Sequence, residues 1–262
     1  MLLLSLALVG CKSIEPAPTD IDGLSHFFWA HYDDEDDEAL AEGIRNAFAA
    51  IDPATLEEPM KGSISDLSRE ELDLVGKFDE PVGESSGVYF ANIVNCPINV
   101  AERGVYALNQ DERHEGDYSA YNREYTTDLD AYEARETNLL GWHTTYSVDR
   151  LGVSMTVDID GTIRYTQTID EETTPHGDFF LSRGILTDDA LLDGNDDGTL
   201  GMFQDYQLEV YFPLNENQTV HFFTIWRDVR YTSALDFSSE FLQDIVLDGM
   251  VDWDKDTEAE CQ

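Results

Sequence analysis

Basic residues are scarce in this chain. Fifteen Lys and Arg, only four of them Lys, stand against 55 Asp and Glu, which leaves a formal net charge of -40 over 262 residues. A surface of that sign repels phosphate backbones, so nucleic acid is excluded as a partner. The acid excess reads first as a strongly solvated surface and second as one that collects divalent cations. Catalytic signatures are missing as well. There is no G-x-S-x-G elbow, P-loop, dinucleotide fingerprint or Cys-x-x-Cys, so the chemistry those motifs carry has no local support. Six histidines are present, but His26 and His31 are five apart, off the i, i+4 spacing that sets two ligands on one helix face. Carboxylates are so abundant that no acid/base pair stands out.

What is present is period-2 alternation, concentrated between Trp142 and Tyr231. Val153, Met155, Val157 and Ile159 alternate with polar residues, which sets them on one face of a strand. Asp160-Gly161 follows, then a second alternating run through Ile163, Tyr165 and Gln167. An Asp-Gly pair between two such runs predicts a hairpin. Tyr206, Leu208, Val210 and Phe212 form another strand, expected to end at Pro213, and Asn215 to Gln218 a turn. Thr219 to Tyr231 is apolar on both faces, as expected of a central strand with a core on each side. The stretch from Asp236 to Trp253 has apolar residues near helical spacing with acids opposite, and Asp236 or Ser238 suits its cap.

Before the sheet, Asp22 caps a short helix bearing Leu24, Phe27 and Phe28, and a second helix runs from the acids at 33–38 to Ile51. Ser68 with Glu71 is a capping box for a third. Val88 to Val94 reads as a strand, and Tyr118 to Arg135 as one or two more. The fold class is therefore α+β: a curved antiparallel sheet closed by a long C-terminal helix, with a small N-terminal helical segment. The expected division is a signal segment at 1–11, a tether at 12–20, the helical segment at 21–80 and the sheet domain at 88–262.

The run MLLLSLALVGC ends in Leu8-Val9-Gly10-Cys11 and resembles the lipobox of bacterial lipoproteins. That resemblance implies cleavage before Cys11, lipidation of Cys11 and anchoring in the cell envelope. Lys12 is not the Asp that retains such proteins at the inner membrane, so the outer membrane is implied. The apolar run itself is too short to span a bilayer. Setting Cys11 aside leaves Cys96 and Cys261, and two cysteines in an exported chain are expected to pair.

Asp193, Asn195, Asp197 and Thr199 fall at alternate positions of a D-x-N-x-D-G loop, a pattern that wraps a hard cation. Gln204 replaces the bidentate Glu of a full EF-hand, so Ca2+ at a looser turn is the one cofactor expected, if any. Arg164, Arg183, Arg227 and Arg230 lie in or near strands, where they either hold an anionic head group or pair with neighbouring acids. Tyr165, Tyr206, Phe222 and Trp226, with Arg164 and Arg227, are the candidate lining of a ligand site. The element order resembles the helix-grip arrangement of the START and polyketide-cyclase group, which implies a sheet wrapped on the helix and an apolar ligand between them. The reading that follows is a binding module for an apolar or amphipathic small molecule rather than an enzyme. The alternative is a structural or adhesive envelope lipoprotein with a calcium-stabilised loop.

Overall fold

The computed structural model describes residues 16–34, 37–113, 118, 120–150, 153–166, 177–195, 198–232 and 235–261. Cys11 and Asp197 lie outside the described residues. In chain order the elements are α1 (Ile21–Ala30), α2 (Asp37–Ile51), β1 (Met60–Ile64), α3 (Arg69–Leu74), β2 (Ser86–Val94), α4 (Ile98–Tyr106) and α5 (Gln110–Arg113). They continue with β3 (Ala120–Tyr125), α6 (Leu129–Glu133), β4 (Leu139–Arg150), β5 (Val153–Thr166), β6 (Phe179–Leu186) and β7 (Ala190–Leu191). β8 (Gly201–Asn215), β9 (Gln218–Thr232), β10 (Leu235–Asp236) and α7 (Glu240–Glu260) complete the fold. Among the described residues the strands form one antiparallel sheet in the order β1-β2-β9-β8-β6-β5-β4-β3, with β10 on β9 and β7 on β8. The fold is α+β with a C-terminal closing helix.

Both faces of the sheet are covered. On the outer face α1 and α2 bring Phe28, Trp29, Leu40 and Ile44 onto Tyr206, Leu208, Val210, Phe222 and Trp226. On the inner face α7 lays Leu242 and Leu247 over Val88, Phe90, Phe223 and Ile225. At the far end of that same face α4 and α6 cover Leu140, Trp142, Ile163 and Phe180. This explains the two-sided apolar pattern of β9: its even positions serve the N-terminal helices and its odd ones serve α7. Trp29 and Trp226 are both fully buried, and burying a side chain of that class stabilises by roughly 2–3 kcal/mol.

Local chemistry sets the helix ends. The Asp20 carboxylate caps α1 by accepting from Gly23 N–H at 2.9 Å, in place of the expected Asp22. Ser68 and Glu71 form the expected capping box of α3, with Glu71 Oε2 accepting from Ser68 N–H at 2.7 Å. α7 starts four residues later than expected, because Leu235 and Asp236 pair with Thr232 and Arg230 of β9 as β10. Residues 21–80 supply an edge strand, β1, as well as helices. That strand has little apolar alternation of its own and is set by pairing with Tyr89 and its neighbours. The end of the expected tether is docked, since Asn46 Nδ2 donates to the carbonyls of Ala17 (2.8 Å) and Pro18 (3.0 Å). The stretch from Tyr118 to Arg135 holds one strand and one short helix, the latter capped by Asp128.

Two strand boundaries differ from expectation for clear reasons. β8 runs through Pro213, which is accommodated at a register shift beside the β8–β9 turn. Asp160-Gly161 is not a turn but the middle of β5, paired with His143 and Trp142 of β4. Glycine is required there by the Trp142 ring, which would lie 2.1 Å from an added Cβ. Gly161→Ala should therefore lower stability by roughly 2–3 kcal/mol, the upper range for overpacking a filled site. A denaturant midpoint within error of wild type would show that the indole moves away at no cost.

Candidate functional site

Between the inner face and the first half of α7 lies a cavity of about 180 Å³. Its greasy side is Val148 of β4, Met155 of β5, Met202 of β8, and Ile245, Val246 and Met250 of α7. Its polar side is the rings of Tyr118, Tyr146 and Tyr231 with Gln207 and Arg227. Gly249 lies at the edge, where no atom would come within 4 Å of an added Cβ. Burial holds the Tyr146 hydroxyl well above its ordinary pKa, so it stays protonated and can donate at neutral pH. Arg227 Nη2 donates to Asp205 Oδ2 at 2.8 Å, and Gln207 Nε2 donates to the same oxygen at 3.0 Å. Asp205 is fully buried, and among the described residues neither its Oδ1 nor Arg227 Nε has a hydrogen-bond partner. A smaller polar hollow of about 130 Å³, walled by Glu84, Asp228, Arg230 and Asp236, shares Arg227 with the cavity.

Of the six residues expected to line a ligand site, Arg227 is the one that borders this cavity. Tyr206, Phe222 and Trp226 are on the outer face, packed edge-on against Trp29 and Phe28 at centroid distances of 5.5–6.3 Å. Arg164 is on that face too, donating to the Tyr32 carbonyl at 2.6 Å and paired with Asp37. Tyr165 is on the inner face but at the far end, under the Arg135 guanidinium at 4.0 Å. Among the described residues, the N-terminal helices cover the outer face. Arg183 pairs with Asp33 and Arg230 with Asp228, so each of the four strand arginines meets an acid.

In the loop proposed for calcium, Gly194 and Gly198 take left-handed φ of 78° and 68°. The Asn195 side-chain amide donates to the Leu200 carbonyl at 2.8 Å. Among the described residues no three His, Cys, Asp or Glu side chains are gathered to hold a metal. Cys96 and Cys261 are joined as a disulfide, with Cα atoms 5.4 Å apart.

Two histidine sites escaped sequence reasoning because their partners are far away in the chain. His221, fully buried on β9, has Nδ1 2.8 Å from Asp254 Oδ1 on α7 and Nε2 3.4 Å from Glu209 Oε2. Tyr211 stacks on its ring at 4.2 Å. Burial would depress the imidazole, but the charge and hydrogen bond of Asp254, joined by Glu209, outweigh it and raise the pKa to about 9. His26 has Nε2 2.9 Å from Ser65 Oγ and Nδ1 2.7 Å from Glu71 Oε1, the order of a serine nucleophile, base and carboxylate. The Ser65 hydroxyl, however, donates to Asp22 at 2.9 Å. With its one proton directed there, Ser65 Oγ accepts from an imidazole that is itself raised in pKa despite burial, chiefly by Glu71. The arrangement is an ion-pair clamp joining α1, α3 and the residue after β1, with the Ser65 proton directed at Asp22 rather than at His26.

No protein-family model and no curated protein matches the chain. Among solved structures it is similar to the lipid transfer and protein localization domain of human StarD13, with 10% identity over 79% of this chain and 86% of that one, at a TM-score of 0.46. A START superfamily protein from Mycobacterium smegmatis aligns at 10% identity over 67% and 96%, with a TM-score of 0.41. The Zhui aromatase/cyclase of Streptomyces sp. R1128 aligns at 12% over 68% and 93%, also at 0.41. These neighbours belong to the group that the element order resembles. At such identities the likeness is one of chain arrangement alone.

Proposed function

We propose that this chain is an envelope-anchored binding module, tethered to the outer membrane through lipidated Cys11, that holds an apolar or amphipathic small molecule. The cavity between the sheet and α7 carries the reading. A concave site with a greasy wall and a few convergent polar groups is what small-ligand recognition requires. The anchor rests on the Leu8–Cys11 motif, and no described helix is long and apolar enough to cross a membrane. Changing Cys11 to Ser should move the protein out of the membrane fraction.

Native mass spectrometry of the purified chain tests the binding module. A co-purified organic mass, lost when Arg227 is changed to Met, is expected; a bare polypeptide under every gentle condition would remove the ligand reading. A calcium adduct that disappears in Asp197→Ala, with no organic mass, would favour the structural role instead.

A further inference from the structure

We infer that the cavity takes a neutral, single-ring aromatic molecule carrying an oxygen acceptor, phenol-like in size and polarity. This rests on the cavity being a ligand site, as proposed above, and adds the class of ligand.

Size comes first. The cavity measures about 180 Å³. An apolar protein cavity of about 150 Å³ accepts benzene, whereas pockets for drug-sized ligands begin at about 300 Å³. A substituted benzene fits that interval, whereas a long acyl chain would have to leave part of its length outside the open side of the cavity.

The walls favour a ring over a short chain. Met155, Met202 and Met250 contribute three thioethers, and sulfur makes favourable contacts with aromatic rings. Tyr118 and Tyr146 stand edge-to-face at 5.1 Å, an arrangement that a ligand ring can extend.

The polar end sets the charge. Among the described residues Arg227 Nε is buried without a partner, on a side chain that lines both this cavity and the smaller hollow, and it calls for an acceptor oxygen. The Arg227 charge is already matched by Asp205, which is fully buried. A carboxylate ligand would leave the triad with net negative charge beside the fully buried Asp205, an unfavourable arrangement. A hydroxyl or carbonyl oxygen satisfies the donor without that penalty.

Isothermal titration of the full chain with p-cresol, p-toluate and 1-decanol tests this. Expected is binding of p-cresol, with p-toluate and 1-decanol each at least tenfold weaker. Arg227→Met and Gly249→Leu should each weaken p-cresol at least tenfold. The second replacement enters open space at the cavity's edge, so circular dichroism should report an unchanged fold even if the first variant is destabilised. Equal or tighter binding of p-toluate would overturn the neutral head. Tighter binding of 1-decanol would overturn the ring while leaving the ligand site standing. Unchanged p-cresol affinity in both variants would place the ring elsewhere and overturn the assignment. Failure of all three probes, together with a bare mass in native spectra, would remove the ligand site itself.

Discussion

Replacing Asp254 by Ala is expected to cost about 3–5 kcal/mol, the range found when one partner of a buried ion pair is removed. Asp254 is 2% exposed and His221 is fully buried. The lost carboxylate also strands Asn92, whose Nδ2 donates to Asp254 Oδ2 at 2.8 Å. Glu209 remains 3.4 Å from the imidazole but is taken up by the Tyr211 hydroxyl at 2.7 Å. The pair joins β9 to α7, so its loss should loosen the helix that closes the cavity.

The same pair gives the fold a pH dependence whose sign is fixed. His221 has a folded pKa of about 9 against roughly 6.5 in an unfolded chain. A raised folded pKa stabilises fully below the unfolded value, and that contribution is lost as pH rises through the folded one. Between pH 6.5 and about 9 the folded state holds a proton that the unfolded state has released. Stability should therefore fall by about 3 kcal/mol across that window, read as a falling urea midpoint. Asp254→Ala should flatten this profile. A wild-type midpoint that rises from pH 7 to 9 would show that His221 is neutral in the fold.

How far the sequence reached follows from the range of the interactions concerned. The Ser68–Glu71 capping box is local, three residues apart, and was legible in full. The two-faced pattern of β9 was legible because period 2 is a property of the strand itself. The ligand lining was not, since parity separates Phe222 and Trp226 from His221 and Phe223 without saying which helices cover which face. That depends on α1 returning from nearly 200 residues upstream to pack on Trp226 and Phe222. Gly161 misled for the same reason. Its need for a missing Cβ comes from Trp142, a strand partner 19 positions earlier, and not from a turn. His221 and Asp254 are 33 residues apart on different elements, with no spacing rule to link them.

Reduction of the Cys96–Cys261 bridge should destabilise the chain by about 5 kcal/mol on the chain-entropy account. The bridge spans a sequence separation of 165 residues, and the entropy removed from the unfolded chain grows with the logarithm of that loop. For a chain of this size each kcal/mol moves Tm by roughly 2–4 °C, so a fall on the order of 10–20 °C is expected. Cys261→Ser should match the reduced protein, because Cys261 is half-buried at the end of α7. Cys96→Ser should be worse, since it sets a hydroxyl into a site that is 0% exposed. Other ties hold the same end of the helix: Glu258 Oε1 accepts from the Asn95 amide and side chain at 2.8 Å, and Arg113 meets Glu260 at 2.6 Å. Those ties act only in the folded state, whereas the bridge acts on the unfolded one, so they cannot replace it. A reduced protein whose Tm stays within a few degrees of the oxidised one would contradict this account, and would mean that the unfolded chain is already compact enough to hold the two cysteines together.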